Sequence, residues 1–173
     1  MLAVAGVIVA ALLVGSGHHR NPGTTGAGTG ATPIPIATVK VVVFPPMHSP
    51  DNPGEAVNTH DGNPNTAWSS DRYFSRNFGG LGGEGLAVQL SGAQVLHTLT
   101  VTSPTQGWAA RTYVADQAGT DALSQWGSPT TTKTNISGST TFSLGGQKGS
   151  WVLLWLTDTG PSEMVSINEL AVS

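Results

Sequence analysis

The sequence predicts an all-β domain, a β-sandwich or barrel, and three observations predict it. Short runs of alternating or β-branched residues recur from residue 37 to the C-terminus, separated by turn-forming residues. No stretch carries the apolar period of an amphipathic helix. The 173 residues include 23 glycines and 11 prolines, which suits turns and strands better than long helices.

Three zones follow in order. Residues 1–17 contain Leu2–Gly15, LAVAGVIVAALLVG, which is apolar throughout. As a helix this stretch spans about 21 Å, short of the ~30 Å core of a bilayer. Two readings stand: a signal-like or anchoring segment without the usual leading Lys or Arg, or the stub of a transmembrane helix. The second is preferred. A buried core helix is disfavoured, because the segment has no polar face. Residues 18–37 are rich in Gly, Thr, Ala and Pro and read as a flexible linker that stiffens at Pro33 and Pro35. His18 and His19 read as polar filler of that linker rather than as metal ligands.

Residues 38–173 read as the folded domain. Ala37–Phe44 is β-branched and strand-like. Gly85–Ser91 alternates, with Leu86, Val88 and Leu90 on one face. Val95–Ser103 alternates with Leu96, Thr98 and Thr100 opposite Val95, Leu99 and Val101. Trp108–Asp116 and Thr140–Leu144 are further short runs. Ser150–Thr157, SWVLLWLT, is apolar on both faces, as a central strand covered on two sides would be. Trp151 and Trp155 are therefore predicted core residues. Glu163–Val172 closes the chain, for about seven or eight strands in all.

Composition excludes several function classes. Seven Lys and Arg against ten Asp and Glu give a net charge of −3, too little positive charge to neutralise a row of phosphates. With no cysteine, disulfides, zinc–thiolate sites, iron–sulfur clusters and cysteine nucleophiles are impossible. The carboxylates Asp61, Asp71, Glu84, Asp116, Asp121, Asp158, Glu163 and Glu169 are dispersed in sequence. No Gly-x-Ser-x-Gly elbow, His–Glu zinc helix or nucleotide loop is present. A non-catalytic protein is expected.

The informative stretch is Ala56–Ser70, AVNTHDGNPNTAWSS. Asp61-Gly62 and Asn63-Pro64 are turn chemistry. Asp61, Asn63 and Thr66 bring oxygen donors together on a Gly-bent loop, which is how proteins hold a hard cation such as calcium. In the last strand, period-2 parity puts Glu169 on the face of Val165, Ile167 and Ala171, pointing inward. A buried carboxylate needs a partner or a metal. Calcium between the Asp61 loop and Glu169 answers that need. So would a bulge returning Glu169 to solvent, or pairing with Lys40 or Arg111.

The run Asp61-Gly62-Asn63-Pro64-Asn65-Thr66-Ala67-Trp68, with the terminal Ile167-Asn168-Glu169-Leu170, resembles the discoidin or coagulation-factor type C family. The resemblance covers roughly residues 38–173. It implies a galactose-binding-like fold: an antiparallel β-sandwich of jelly-roll form, preceded here by the apolar N-terminal helix and the linker. It implies a structural Ca2+ held by the side chains of Asp61 and Thr66, the backbone carbonyls of Asn58 and Asn63, and Glu169. Trp68 would be core. The longer run VVVFPPMHSPDNPGEAVNTHDGNPNTAW, then DRY and FGGL, is similar to the extracellular C-terminal domain of actinobacterial MviN-type membrane proteins with a fused pseudokinase. There a transmembrane helix and a linker precede the domain.

Sugar-binding members of such folds use loops at one end, with an aromatic platform and polar partners. Arg72 and Tyr73 in the long loop Ser69–Gly83, Trp108 and Trp126 at loop–strand junctions, and Arg111 form the candidate ligand set. For each there is a plainer alternative. Tyr73, Phe74 and Phe78 could plug the sandwich while Arg72 pairs with Asp71, and both tryptophans could be core. The expected function is a non-catalytic, extracytoplasmic module binding cell-wall glycan, tethered to the membrane by the apolar segment, with no nucleic acid partner. The alternative is a protein-interaction or sensory ectodomain of a cell-wall-biosynthesis membrane protein. Its partner would be an extracytoplasmic protein, and it would have no sugar site.

Overall fold

The computed structural model describes residues 36–44 and 49–173. The apolar segment and nearly all of the linker lie outside the described residues. The described chain falls within one compact unit, Thr32–Ser173.

Among the described residues there are six strands: β1 (Thr38–Phe44), β2 (Trp68–Ser69), β3 (Glu84–Ala115), β4 (Thr131–Asp158), β5 (Ser166–Ile167) and β6 (Glu169–Val172). The predicted runs within 84–115 and within 131–158 merge into two long, repeatedly bulged strands, so β3 and β4 each serve several positions. Glu84–Gln89 lies between β1 and Trp151–Leu156. On the far side of that segment Ala109–Ala115 pairs with Trp151–Asp158, and residues 131–133 pair beyond it. In the second layer Leu99–Thr102 pairs with residues 139–142 on one side and with β6 on the other. All these ladders are antiparallel. Helical structure among the described residues is limited to 3-10 turns, at Pro53–His60, Phe78–Gly80 and Leu123–Trp126.

Alternation divides the apolar residues into two cores. Leu86, Val88, Val152, Leu154 and Leu156 meet Leu99, Val101, Phe142 and Leu170 between the layers. Their odd-numbered neighbours Ala87, Leu153 and Trp155 pack on the other face with Phe44, Tyr113 and Trp126. That second cluster is why Ser150–Thr157 is apolar on both faces: two layers of side chains cover it.

Two parity readings are corrected. Val95 is 53% exposed and Leu96 is fully buried, because the register shifts between Leu96 and Thr98 and re-aims the strand before Leu99. The final strand also breaks at Asn168. Its backbone N–H bonds the Thr102 carbonyl, and its side chain bonds the Pro64 and Thr66 carbonyls. Past that break Leu170 and Val172 turn inward, Ala171 is exposed and Glu169 sits half-buried at the rim rather than in the core.

Candidate functional site

Three places bring chemistry-bearing residues together. The first is the Asp61 loop. An Asx turn builds it: Asp61 Oδ1 accepts the Asn63 N–H at 2.8 Å, and Asp61 Oδ2 accepts the Thr66 hydroxyl at 2.8 Å. Those bonds hold the Asp61 carboxyl below its ordinary range. The Asn63 carbonyl accepts both the N–H and the hydroxyl of Thr66. The Asn58 side chain bonds the Ala67 carbonyl instead of facing the turn.

Glu169 comes from β6 to the same loop. Burial, and then the negative charge of Asp61, push its carboxyl above the ordinary range, partly offset by the N–H groups of Gly62 and Asn63 and by His60. Its Oε1 is buried with no hydrogen-bond partner. The suggested protein partners are elsewhere: Lys40 Nζ lies 6.0 Å over the Trp151 ring, and Arg111 lies in a groove beside Trp155. Two carboxylates, one with an orphaned buried oxygen, beside a hydroxyl and loop carbonyls make an oxygen donor set that fits a hard cation. Among the described residues no group of three or more His, Cys, Asp or Glu could hold a metal, so a cation here would depend on hydroxyl and carbonyl oxygens beside the two carboxylates.

The second place is an end of the sandwich where three loops are tied together. Arg72 Nη1 donates to the Ser162 carbonyl at 2.6 Å, and the Tyr73 N–H to the Glu163 carbonyl. Arg76 forms an ion pair with Asp158 at 2.9 Å and donates to the Gly107 carbonyl. Gly160, at φ 72°, packs directly against the Gln106–Gly107 backbone, where any side chain would collide. Phe74 stands on this bound-down framework and is 84% exposed. Beside Ser162, a shallow pocket of about 390 Å³ is lined by Pro104, Gln106, Pro161 and Met164.

Beneath the same loop lies a buried acid pair that no local sequence signal announces. The Asp51 N–H bonds Glu84 Oε1 at 2.8 Å, and Asp51 Oδ2 accepts the Asp71 N–H and the Tyr73 hydroxyl. Glu84 is completely buried, its other oxygen has no partner, and burial together with Asp51 pushes its carboxyl up to about 9. At neutral pH one proton therefore stays on this pair. Burial and then the Asp51 bond raise the Tyr73 hydroxyl as well, so it remains a donor.

The candidate ligand set is thus dispersed. Arg72 and Tyr73 lie at the tied loop end, but Tyr73 packs edge-on against buried Phe78 at 5.1 Å and points its hydroxyl at Asp51. Trp108 is fully buried in the main core and cannot offer a face to a ligand. Trp126 is 2% exposed, because its 3-10 turn folds the indole onto Phe44 at 5.7 Å. Both leave the ligand set, since a junction in sequence does not say which way a ring points. Arg111 is exposed, on the outer face of the first layer. Phe74, read as a plug for the sandwich, is the exposed aromatic instead.

No protein-family model matches the chain. Solved structures do. The CBM32 module of AlyQ, in complex with 4,5-unsaturated mannuronic acid, superposes with a TM-score of 0.59 at 14% identity, over 81% of this chain and 98% of that one. Chitosan-binding module 1 of a chitosanase/glucanase from Paenibacillus sp. IK-5 superposes with a TM-score of 0.54 at 19% identity, over 69% and 84%. In a family 89 glycoside hydrolase from Clostridium perfringens (TM-score 0.53, 14% identity) 77% of this chain matches only 14% of the enzyme. The chain therefore shares the β-sandwich fold of these carbohydrate-binding modules.

Proposed function

We propose that the domain is a non-catalytic carbohydrate-binding module that acts outside the cytoplasm on cell-wall glycan, tethered by the N-terminal apolar segment. The observation that carries this reading is Phe74. A large aromatic ring 84% exposed on a loop held by cross-links to its neighbours offers a ready apolar face to a ligand. Aromatic faces take the C–H side of a sugar ring, while Arg72, Gln106 and Ser162 supply polar groups for hydroxyls. Saccharide ligands named for two of the similar structures support the same reading.

The test is retention of the chain on insoluble cell-wall fractions. Phe74→Ala should abolish saturable retention and leave stability within the small range of surface substitutions, about ±0.5 kcal/mol, because the side chain is 84% exposed. Undiminished retention by Phe74→Ala would remove the loop end as the site. Absence of retention by the unaltered chain on every fraction would move the reading to an extracytoplasmic protein partner.

The same reading includes a structural calcium at the Asp61 loop, held by Asp61, Thr66 and Glu169 with backbone carbonyls of Asn58 and Asn63. Bound there, calcium would neutralise two adjacent carboxylates and pin the last strand to the loop. An ion present at 100 times its dissociation constant stabilises by about 2.7 kcal/mol. Chelation should therefore lower the melting temperature of the unaltered protein by several degrees. Glu169→Gln should melt at one temperature with and without calcium. If chelator leaves the unaltered protein unmoved, the calcium assignment is wrong.

A further inference from the structure

A groove of about 420 Å³ lies on the outer face of the first layer, between Leu81–Gly82 at the end of the Phe74 loop and the turn at Asp121–Leu123. Its floor is Trp155, 4% exposed and fixed edge-on to Phe44 at 6.1 Å. One wall is Leu81 and Gly82. Gly83 follows at φ 138°, so close to the Trp155 ring that a Cβ would sit 2.8 Å from it, and this brings the wall down onto the floor.

Leu123 and Asp121 form the other wall, which is fixed in advance. Gln125 Oε1 accepts the N–H groups of Thr120, Asp121 and Ala122, at 2.7, 3.0 and 3.4 Å, and buried Trp126 anchors the turn.

Polar groups in the groove are unspent. Of the three arginines among the described residues, Arg72 and Arg76 bond carbonyls or Asp158. Arg111 is exposed, and its guanidinium makes no hydrogen bond or ion pair among the described residues. Asp121 accepts one short bond from Thr120 and forms no ion pair with Arg111, although both line the groove. The volume falls in the range of small-molecule sites, roughly 300–1,000 Å³.

From this juxtaposition we infer that the groove is a second saccharide site, taking a single pyranose residue. Leu81, Leu123 and the Trp155 edge meet the C–H face of the ring, Asp121 accepts from adjacent hydroxyls, and Arg111 donates to the ring oxygen or to an acidic substituent. A rigid, preformed groove loses little conformational freedom on binding. Together with the loop end it would give one domain two sugar contacts, and two weak contacts to a polymeric glycan reinforce each other. The inference rests on the proposed function only in its choice of saccharide as the ligand class.

The test is titration of the 15N-labelled full chain with methyl galactoside, N-acetylglucosamine and glucuronate, following amide and indole resonances. At least one sugar should shift Trp155 and Asp121–Leu123 saturably. Arg111→Met and Asp121→Asn should each weaken that response by about tenfold, equivalent to about 1.4 kcal/mol, with Phe74→Ala leaving it unchanged. Silence of the groove toward all three sugars overturns the inference, as does a response that both groove variants retain. If the groove is silent while retention on wall fractions still depends on Phe74, the proposed function stands without it. If the groove responds while Phe74→Ala binds normally, the groove is the site and the loop end is not.

Discussion

Trp108→Ala should destabilise the domain by about 3–5 kcal/mol, as truncation of a buried aromatic does. That is a large fraction of the ~5–15 kcal/mol that holds a typical domain folded. The indole is fully buried between the layers, where β3 turns after Gly107 and pairs at Trp108 with Ile136. Removing it opens a cavity whose walls are strands from both layers, and these cannot close without shifting register. Thermal unfolding followed by circular dichroism should show a fall of roughly 10–20 °C. Trp108→Phe should cost much less. The indole N–H is buried with no partner, so Phe sheds an unsatisfied donor while keeping most of the ring. A Trp108→Ala protein that melts within about 3 °C of the unaltered chain would place the indole outside the core. Any loss of glycan retention in this variant would reflect unfolding, which is the reverse of the Phe74→Ala pattern of lost binding at unchanged stability.

The contrast between these two aromatics shows where sequence reasoning reached and where it stopped. Alternation reports which residues share a face, so Leu86, Val88 and Leu90, and the two-faced run from Val152 to Leu156, were legible. It does not report which way a ring points at a strand end, so Trp108 and Trp126 stood as ligand candidates and Phe74 as a plug. One-residue insertions are equally silent: the shift at Leu96–Thr98 and the break at Asn168 invert parity through bonds made to distant strands. The Asp61 turn was legible because its hydrogen bonds span five residues or fewer. The Asp51–Glu84 bond joins residues 33 apart, and only the fold brings them together.

That pair carries the second large effect, Glu84→Gln. Glu84 has its carboxyl raised from an ordinary value of 4.5 to about 9, with burial as the main cause and the neighbouring Asp51 next. A group whose folded-state pKa is raised binds its proton more tightly in the folded protein. Its contribution is therefore fully present below about pH 4.5 and is lost progressively as pH rises toward 9. Each pH unit inside that window costs up to about 1.4 kcal/mol. Gln cannot ionise, yet its carbonyl can still accept the Asp51 N–H, as Glu84 Oε1 does. Glu84→Gln should therefore leave stability nearly unchanged at pH 4.5 and raise the melting temperature on the order of 5–10 °C at pH 8. Differencing the two melting curves cancels the titrations of Asp61 and Glu169, which are common to both proteins. Asp51→Asn supplies a second check: it removes the neighbouring negative charge and should shrink the slope attributable to Glu84. Parallel melting curves for Glu84→Gln and the unaltered protein across pH 5–9 would mean that the proton is not held on this pair. The consequence for function is local. Asp51 accepts from Asp71 and Tyr73, at the root of the loop that presents Phe74. Ionising Glu84 beside Asp51 sets two buried negative charges against each other under that loop, so alkaline pH should loosen glycan retention before it unfolds the domain, and Glu84→Gln should restore it.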